Sequence, residues 1–150
     1  MKAIPNDIFF SQVESELAAG RSVIIKVKGN SMYPFLRNGI DSVKIEPVNQ
    51  LLENNDVVIF YYNSRHILHR IIKIEGEKYT MQGDGILITT ETCTRKDIIG
   101  IVTHIRRGNG KMIPVTSLRW RALSSIWQSL RFARRYLLGV IRRLSTFAIY

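Results

Sequence analysis

The 150-residue chain is 45% apolar and 23% charged, which excludes disordered and low-complexity architectures and suits one domain with an appendage. Its formal net charge of +10 is uneven: seven arginines and no acid lie between Ser117 and Tyr150, leaving fifteen basic against twelve acidic side chains, or +3, before them. Charge acts on partners through its distribution, so nucleic acid is the least favoured partner class, while the single cysteine, Cys93, excludes an internal disulfide and makes no metal cluster.

In chain order, Ile8, Phe9, Val13, Leu17 and Ala18 recur at helical spacing behind Asn6 and Asp7, predicting a short amphipathic helix over 6–19 that Gly20 stops. From Ser22 onward, β-branched runs predict strands over 23–28, 42–45, 57–62, 67–74, 78–82 and 98–106. Between them lie the turn signals Asn38-Gly39, Asn54-Asn55, Asn63-Ser64, Glu75-Gly76 and Gly83-Asp84-Gly85. The expected fold is mainly β over 1–116.

After Pro114 the period returns to three and four residues, with Leu123, Trp127, Leu130, Leu137, Ile141 and Leu144 on one stripe of a basic amphipathic tail over 117–150. Arg131, Arg135 and Arg142 fall largely off that stripe, and Trp120, Trp127, Phe132, Tyr136 and Phe147 supply aromatic anchors. This is the composition of a helix lying in a membrane interface; packing on the β domain stays open beside it. No run reaches the roughly 18 to 20 apolar residues of a spanning helix, and the first residues lack the apolar core of a secretory signal. The lone thiol suits a reducing compartment. The expected location is cytoplasmic, peripheral at the inner face of the membrane.

The chemistry-bearing candidate is Ser31, which follows Lys28-Gly29-Asn30 at the end of a strand and precedes Met32-Tyr33-Pro34. The glycine can turn the chain sharply, the proline favours an extended Tyr33, and backbone amides would lie near the hydroxyl. A serine hydroxyl is a poor nucleophile without a positioned base. On these residues alone, an ordinary turn serine is the favoured reading of Ser31.

The segment from Val27 to Gly39, with Gly29-Asn30-Ser31-Met32-Tyr33-Pro34 at its centre, resembles the nucleophile box of the clan that contains type I signal peptidases and LexA-type self-cleaving repressors. Asn55-Asp56-Val57-Val58 resembles the clan's next strand, with His69-Arg70-Ile71-Ile72 at the position of the general base. Gln82-Gly83-Asp84-Gly85 and Asp97 to Val102 resemble its Gly-Asp turn and closing strand. These boxes run in the family's order over roughly residues 22 to 106.

The resemblance implies a coiled β domain of the LexA and signal peptidase kind, with Ser31 as nucleophile and no cofactor. Bacterial and LexA-type members use a lysine base, whereas His69 matches the serine-histidine form of endoplasmic-reticulum and archaeal signal peptidases. Asp84 is expected to orient His69 or simply to hold its turn, and Asp97 is a weaker bid for the same role. The Ser31 amide is the expected first oxyanion donor, with Asn30 or another backbone group as the second; Met32 and Pro34 flank the oxyanion and substrate positions. This sequence departs from the pattern at Gly39-Ile40-Asp41, at Asn55-Asp56, and at Gly29, where some signal peptidases carry a serine donor.

Strand alternation sets His66 on the face opposite His69 and puts Lys73 two pairs along; His104 and Cys93 have no assigned partners. The expected activity is a serine endopeptidase cutting a leader or signal-like peptide through an acyl-enzyme. A LexA-type self-cleaving protein, with Ala19-Gly20 as the candidate bond, is one alternative. A non-catalytic membrane-binding or partner-binding module on the same fold is another.

Overall fold

A computed structural model describes residues 6–130 and 133–147 of the chain. It begins with helix α1, Asn6–Ala18, whose Val13 and Leu17 are buried, and Gly20 follows at positive φ as predicted. Eight antiparallel strands follow: β1 Val23–Lys26, β2 Ser42–Glu46, β3 Val57–Tyr62, β4 Arg65–Glu75, β5 Lys78–Gln82, β6 Glu91–Thr94, β7 Ile98–Arg106 and β8 Met112–Pro114. Their order across the sheet is β1-β2-β7-β3-β4-β5-β6, with β8 also paired to β7. The structure thus has the mainly β architecture read from the sequence.

Two short strands escaped that reading. β6 holds only four residues between a loop and the 3-10 turn Arg95–Asp97, and β8 only three. Runs this short give alternation too little length to register. β1 in turn ends at Lys26, two residues before the expected 28. Beyond it, the Val27 amide donates to the Asp41 carbonyl and Gly29 turns the chain at a φ of +80°. That positive φ, which glycine adopts without a Cβ clash, steers the chain off the sheet and into the Ser31 segment.

β3 shows why the sheet needs cover on both sides. Val57, Val58, Ile59 and Phe60 are all buried, and successive side chains point to opposite faces. Val57 and Ile59 enter a core with Val43, Ile45, Met32, Phe35, Leu36 and α1, whereas Val58 and Phe60 enter another with Ile71, Met81, Cys93 and Ile101. Register shifts at Lys44/Ile45, Ile59/Phe60 and Ile71/Lys73 add local twist and coil the sheet.

The C-terminal stretch is two helices rather than one, α2 Leu118–Ser129 and α3 Arg134–Phe147. Ser117 caps the first by accepting from the Trp120 amide. The buried row also differs from the expected stripe, because Trp120, Ser124 and Trp127 face inward while Leu123 and Leu130 are exposed. Burying two indoles removes more apolar area from water than burying two leucines. Trp120 and Trp127 therefore belong to the core with Phe35 and Leu138, not to a membrane interface. Of the other expected anchors, Tyr136 is exposed, while Phe132 and the Phe147 side chain lie outside the described residues.

Candidate active site

Ser31 sits in a continuous turn spanning 31–35, closed by Tyr33 N–H donating to the Asn30 carbonyl at 3.1 Å and Leu36 N–H to the Met32 carbonyl at 2.9 Å. The Tyr33–Pro34 peptide is cis. Three contacts pin the ends of this excursion: the Gly29 amide donates to Asn38 Oδ1, the Gly39 amide to the Val27 carbonyl, and the Arg37 amide to Asp41 Oδ2. Asp41 also receives the Arg37 guanidinium at 2.9 Å and the Gly108 amide at 3.0 Å. Burial works to raise the Asp41 pKa, but hydrogen bonds from the Arg37 side chain and from the Arg37 and Gly108 amides outweigh it and hold the carboxyl below its usual range.

His69 lies on β4 opposite Val58 of β3, so its ring shares the face of Val58 and Ile71, while Arg70 points to the other. The ring is buried and its Nδ1 lies 2.9 Å from Glu91 Oε2. An ionised carboxylate only accepts, so Nδ1 donates, and the neutral ring keeps an unprotonated Nε2 able to take a proton. Glu91 opens β6 opposite Met81 of β5, and Met81 in turn pairs with Ile71. The carboxylate thus reaches His69 along one face of three adjacent strands.

The loop after β5 brings the serine turn to this histidine. A methyl group on Gly83 would lie 2.3 Å from the Ser31 carbonyl oxygen and 3.0 Å from His69 Nε2. Gly83 lets the Ser31 turn and the His69 ring close on the same point, which any side chain would occupy. Gly85 lies against the Asn30 and Tyr33 carbonyls in the same way, and its amide donates to the Ser31 carbonyl at 2.8 Å. Ser31 and His69 are neighbours without a hydrogen bond between the hydroxyl and the ring among the described residues. Separations of this kind are common before a substrate tightens a site. The amides of Ser31 and Met32 donate to no acceptor among the described residues.

Asp84 does not orient His69. Both its carboxylate oxygens are held by Arg70, Oδ1 by Nε and Oδ2 by Nη2, each at 2.8 Å, with both partners fully buried. Arg70 also donates to the Asn55 carbonyl and the Ser124 hydroxyl, and its guanidinium lies over the Phe35 and Trp120 rings. Adjacent positions on one strand thus send an imidazole toward Ser31 and a guanidinium into the core. Each meets its own carboxylate. Asp84 is a turn-holding residue, and Glu91 was missed because its strand was not recognised; its trace in the sequence is an acid heading the β-prone run Thr92-Cys93-Thr94.

The remaining candidates take ordinary structural positions. Met32, expected beside the substrate, is buried in the core, because the turn points its side chain inward. Asn30 is exposed and Pro34 half-buried. Asp97 closes a capping box with Thr94, His66 stacks on Phe10 and bonds Glu14 at 2.7 Å, and exposed Lys73 pairs with Glu75. His104 Nδ1 lies 2.9 Å from Thr103 Oγ1. Burial pushes the Cys93 thiol up to about 12, which leaves it protonated and unreactive near neutrality. Among the described residues no three His, Cys, Asp or Glu side chains group to hold a metal ion. A groove of about 1130 Å³ between α1 and the β3–β4 hairpin, lined by Phe10, Glu14, Tyr61 and His66, includes neither Ser31 nor His69.

A family model described as Peptidase S24-like matches residues 4–103, an interval that holds Ser31, His69, Gly83 and Glu91 and ends before α2. No curated protein matches the chain.

Proposed function

Because the chain belongs to the Peptidase S24-like family of serine peptidase-type hydrolases, we propose that it is an endopeptidase in which Ser31 is the nucleophile, His69 the general base and Glu91 the group that orients His69. The observation that carries this reading is the Glu91–His69 hydrogen bond at 2.9 Å on a ring whose other nitrogen faces the Ser31 turn across Gly83. His69 Nε2 takes the Ser31 Oγ proton as the hydroxyl attacks a peptide carbonyl. In this reading the Ser31 and Met32 amides, which have no acceptor among the described residues, donate to the oxyanion. The imidazolium then passes its proton to the departing amine, and water, deprotonated by the same nitrogen, releases the acyl group. Glu91 stabilises the imidazolium throughout.

The substrate in this reading is an extended leader or signal-like peptide. Among the described residues β1 is an edge strand, paired only to β2, and it leads directly into the Ser31 excursion. An edge of this kind can bind an extended segment by main-chain hydrogen bonds and deliver its carbonyl to the turn. Cleavage in trans is favoured over self-cleavage at Ala19-Gly20. That bond forms the end of α1, where the Ala19, Gly20 and Arg21 amides are bonded back to Ser15, Leu17 and Glu16, so it would have to unwind to become extended.

A fluorophosphonate probe followed by intact-mass analysis tests the assignment. The wild-type protein takes one adduct on Ser31, Ser31→Ala takes none, and His69→Ala reacts at least about a thousandfold more slowly. Equal labelling of all three would overturn it. Loss of the mass N-terminal to Gly20 on storage, absent in Ser31→Ala, would replace the trans reading by self-cleavage.

A further inference from the structure

The packing of α2 and α3 leaves each helix with a second apolar row that nothing in the described chain covers. On α2 the exposed row is Leu123, Ile126 and Leu130, at steps of three and four, beside the buried row of Trp120, Ser124 and Trp127. On α3 it is Tyr136, Val140 and Leu144, 76%, 54% and 64% exposed, beside buried Leu138 and Arg134. Single exposed apolar side chains are ordinary, but two helically spaced rows on neighbouring helices are not. Exposed Arg119 lies four residues before Leu123 and exposed Arg143 three after Val140, beside these rows; Arg121 and Arg135 are exposed elsewhere on the same helices, and no acid occurs after residue 116.

We propose that α2 and α3 dock the protein on the surface of an anionic lipid bilayer, the apolar rows entering the acyl boundary and the arginines lying at the headgroups. Charge selects this occupant. A second copy docking through the same face would set arginine against arginine with no carboxylate to separate them. A nucleic acid would satisfy the arginines but leave six apolar side chains against phosphate and water. An anionic interface meets both requirements. The helices lie on such a surface and do not cross it, since none of the described helices is long and apolar enough to span.

Their buried side gives the docking a consequence at the site. Trp127 Nε1 donates to the Asp84 carbonyl at 3.0 Å, and Ser124 and Gln128 bond Arg70 and Asp84. The loop that presses on Ser31 is therefore bolted to α2, one of the two docking helices.

Flotation of the full chain tests the proposal without reference to peptidase activity. It uses vesicles of phosphatidylcholine alone and of phosphatidylcholine mixed with phosphatidylglycerol. The wild-type protein floats with the mixed vesicles, weakly with the neutral ones, and less as salt is raised. Ile126→Glu/Leu144→Glu, and separately Arg119→Gln/Arg143→Gln, each lower binding to mixed vesicles by about tenfold or more. All four positions are exposed, and the second pair serves if the first distorts the fold. No flotation with mixed vesicles, equal flotation with both kinds, or flotation unchanged in both variants would overturn the proposal. So would a dimer in light scattering that the Ile126→Glu/Leu144→Glu variant abolishes without any vesicle binding.

Discussion

The sheet and the C-terminal helices bury their apolar residues in different ways, and the difference separates chemistry from placement. In the sheet, alternation assigns each residue one of two faces, so His69 and Arg70 are committed to opposite environments by a single step of sequence. A helix offers a continuum of faces, and which row of α2 turned inward depended on the surface it met. Trp120 and Trp127 meet Phe35 edge-on at 5.4 Å and 6.1 Å, and Ser124 accepts from the buried Arg70. The residues proposed for catalysis come from the sheet and its loops. The helices supply the wall behind them.

Five substitutions break or sharpen that division, the largest effect first. Asp84→Asn removes the charge that faces the fully buried Arg70 guanidinium, and a broken buried pair costs about 3–5 kcal/mol. Denaturant unfolding should show this loss of stability. Glu91→Gln, by contrast, should leave the unfolding midpoint nearly unchanged while lowering turnover about a hundredfold, since it removes the charge facing His69 in the transition state. If the two variants exchanged phenotypes, Asp84 and not Glu91 would be the orienting residue.

Gly83→Ala tests the contact between the two halves of the site. Its methyl would lie 2.3 Å from the Ser31 carbonyl, so the nucleophile turn must move, and a displacement of order 1 Å costs about a hundredfold in rate. Probe-labelling kinetics measure it, and a wild-type rate would show that Ser31 is not held by this loop. Trp127→Phe probes the helical wall more gently. It keeps the ring but removes the indole N–H that donates to the Asp84 carbonyl, for about 1 kcal/mol in unfolding free energy.

The smallest effect concerns pH. The folded-state pKa of Asp41 is depressed, so its contribution is complete above the ordinary carboxyl range near about 4 and is lost as pH falls through the lower folded value. Acid titration of stability should therefore be shallower for Asp41→Asn than for the wild type. Identical slopes would mean that the Arg37 and Gly108 hydrogen bonds do not favour the carboxylate.

Much of the candidate site is legible in the sequence for a physical reason. Ser31 and His69 each stand in a short box of glycine, proline and β-branched residues, where backbone demands restrict composition. Asn55 likewise takes the left-handed φ of +79° that its turn position suggested. Glu91 had no such frame. Its strand is four residues long, and its partner His69 lies 22 residues away on a non-adjacent strand. Asp84 misled for the complementary reason: a Gly-Asp-Gly turn looks the same whether its carboxylate faces a histidine or an arginine.

The sequence alone carried the mainly β architecture and the order of boxes that resembles the family's, with Ser31 and His69 as candidates within them, because those depend on local period and backbone conformation. Tertiary structure alone decided which carboxylate meets His69, which row of α2 is buried, and that Gly83 is the point where the Ser31 turn and the His69 ring meet. Those outcomes depend on strand register and on close approach between segments distant along the chain, and neither is encoded by the residues of any one segment.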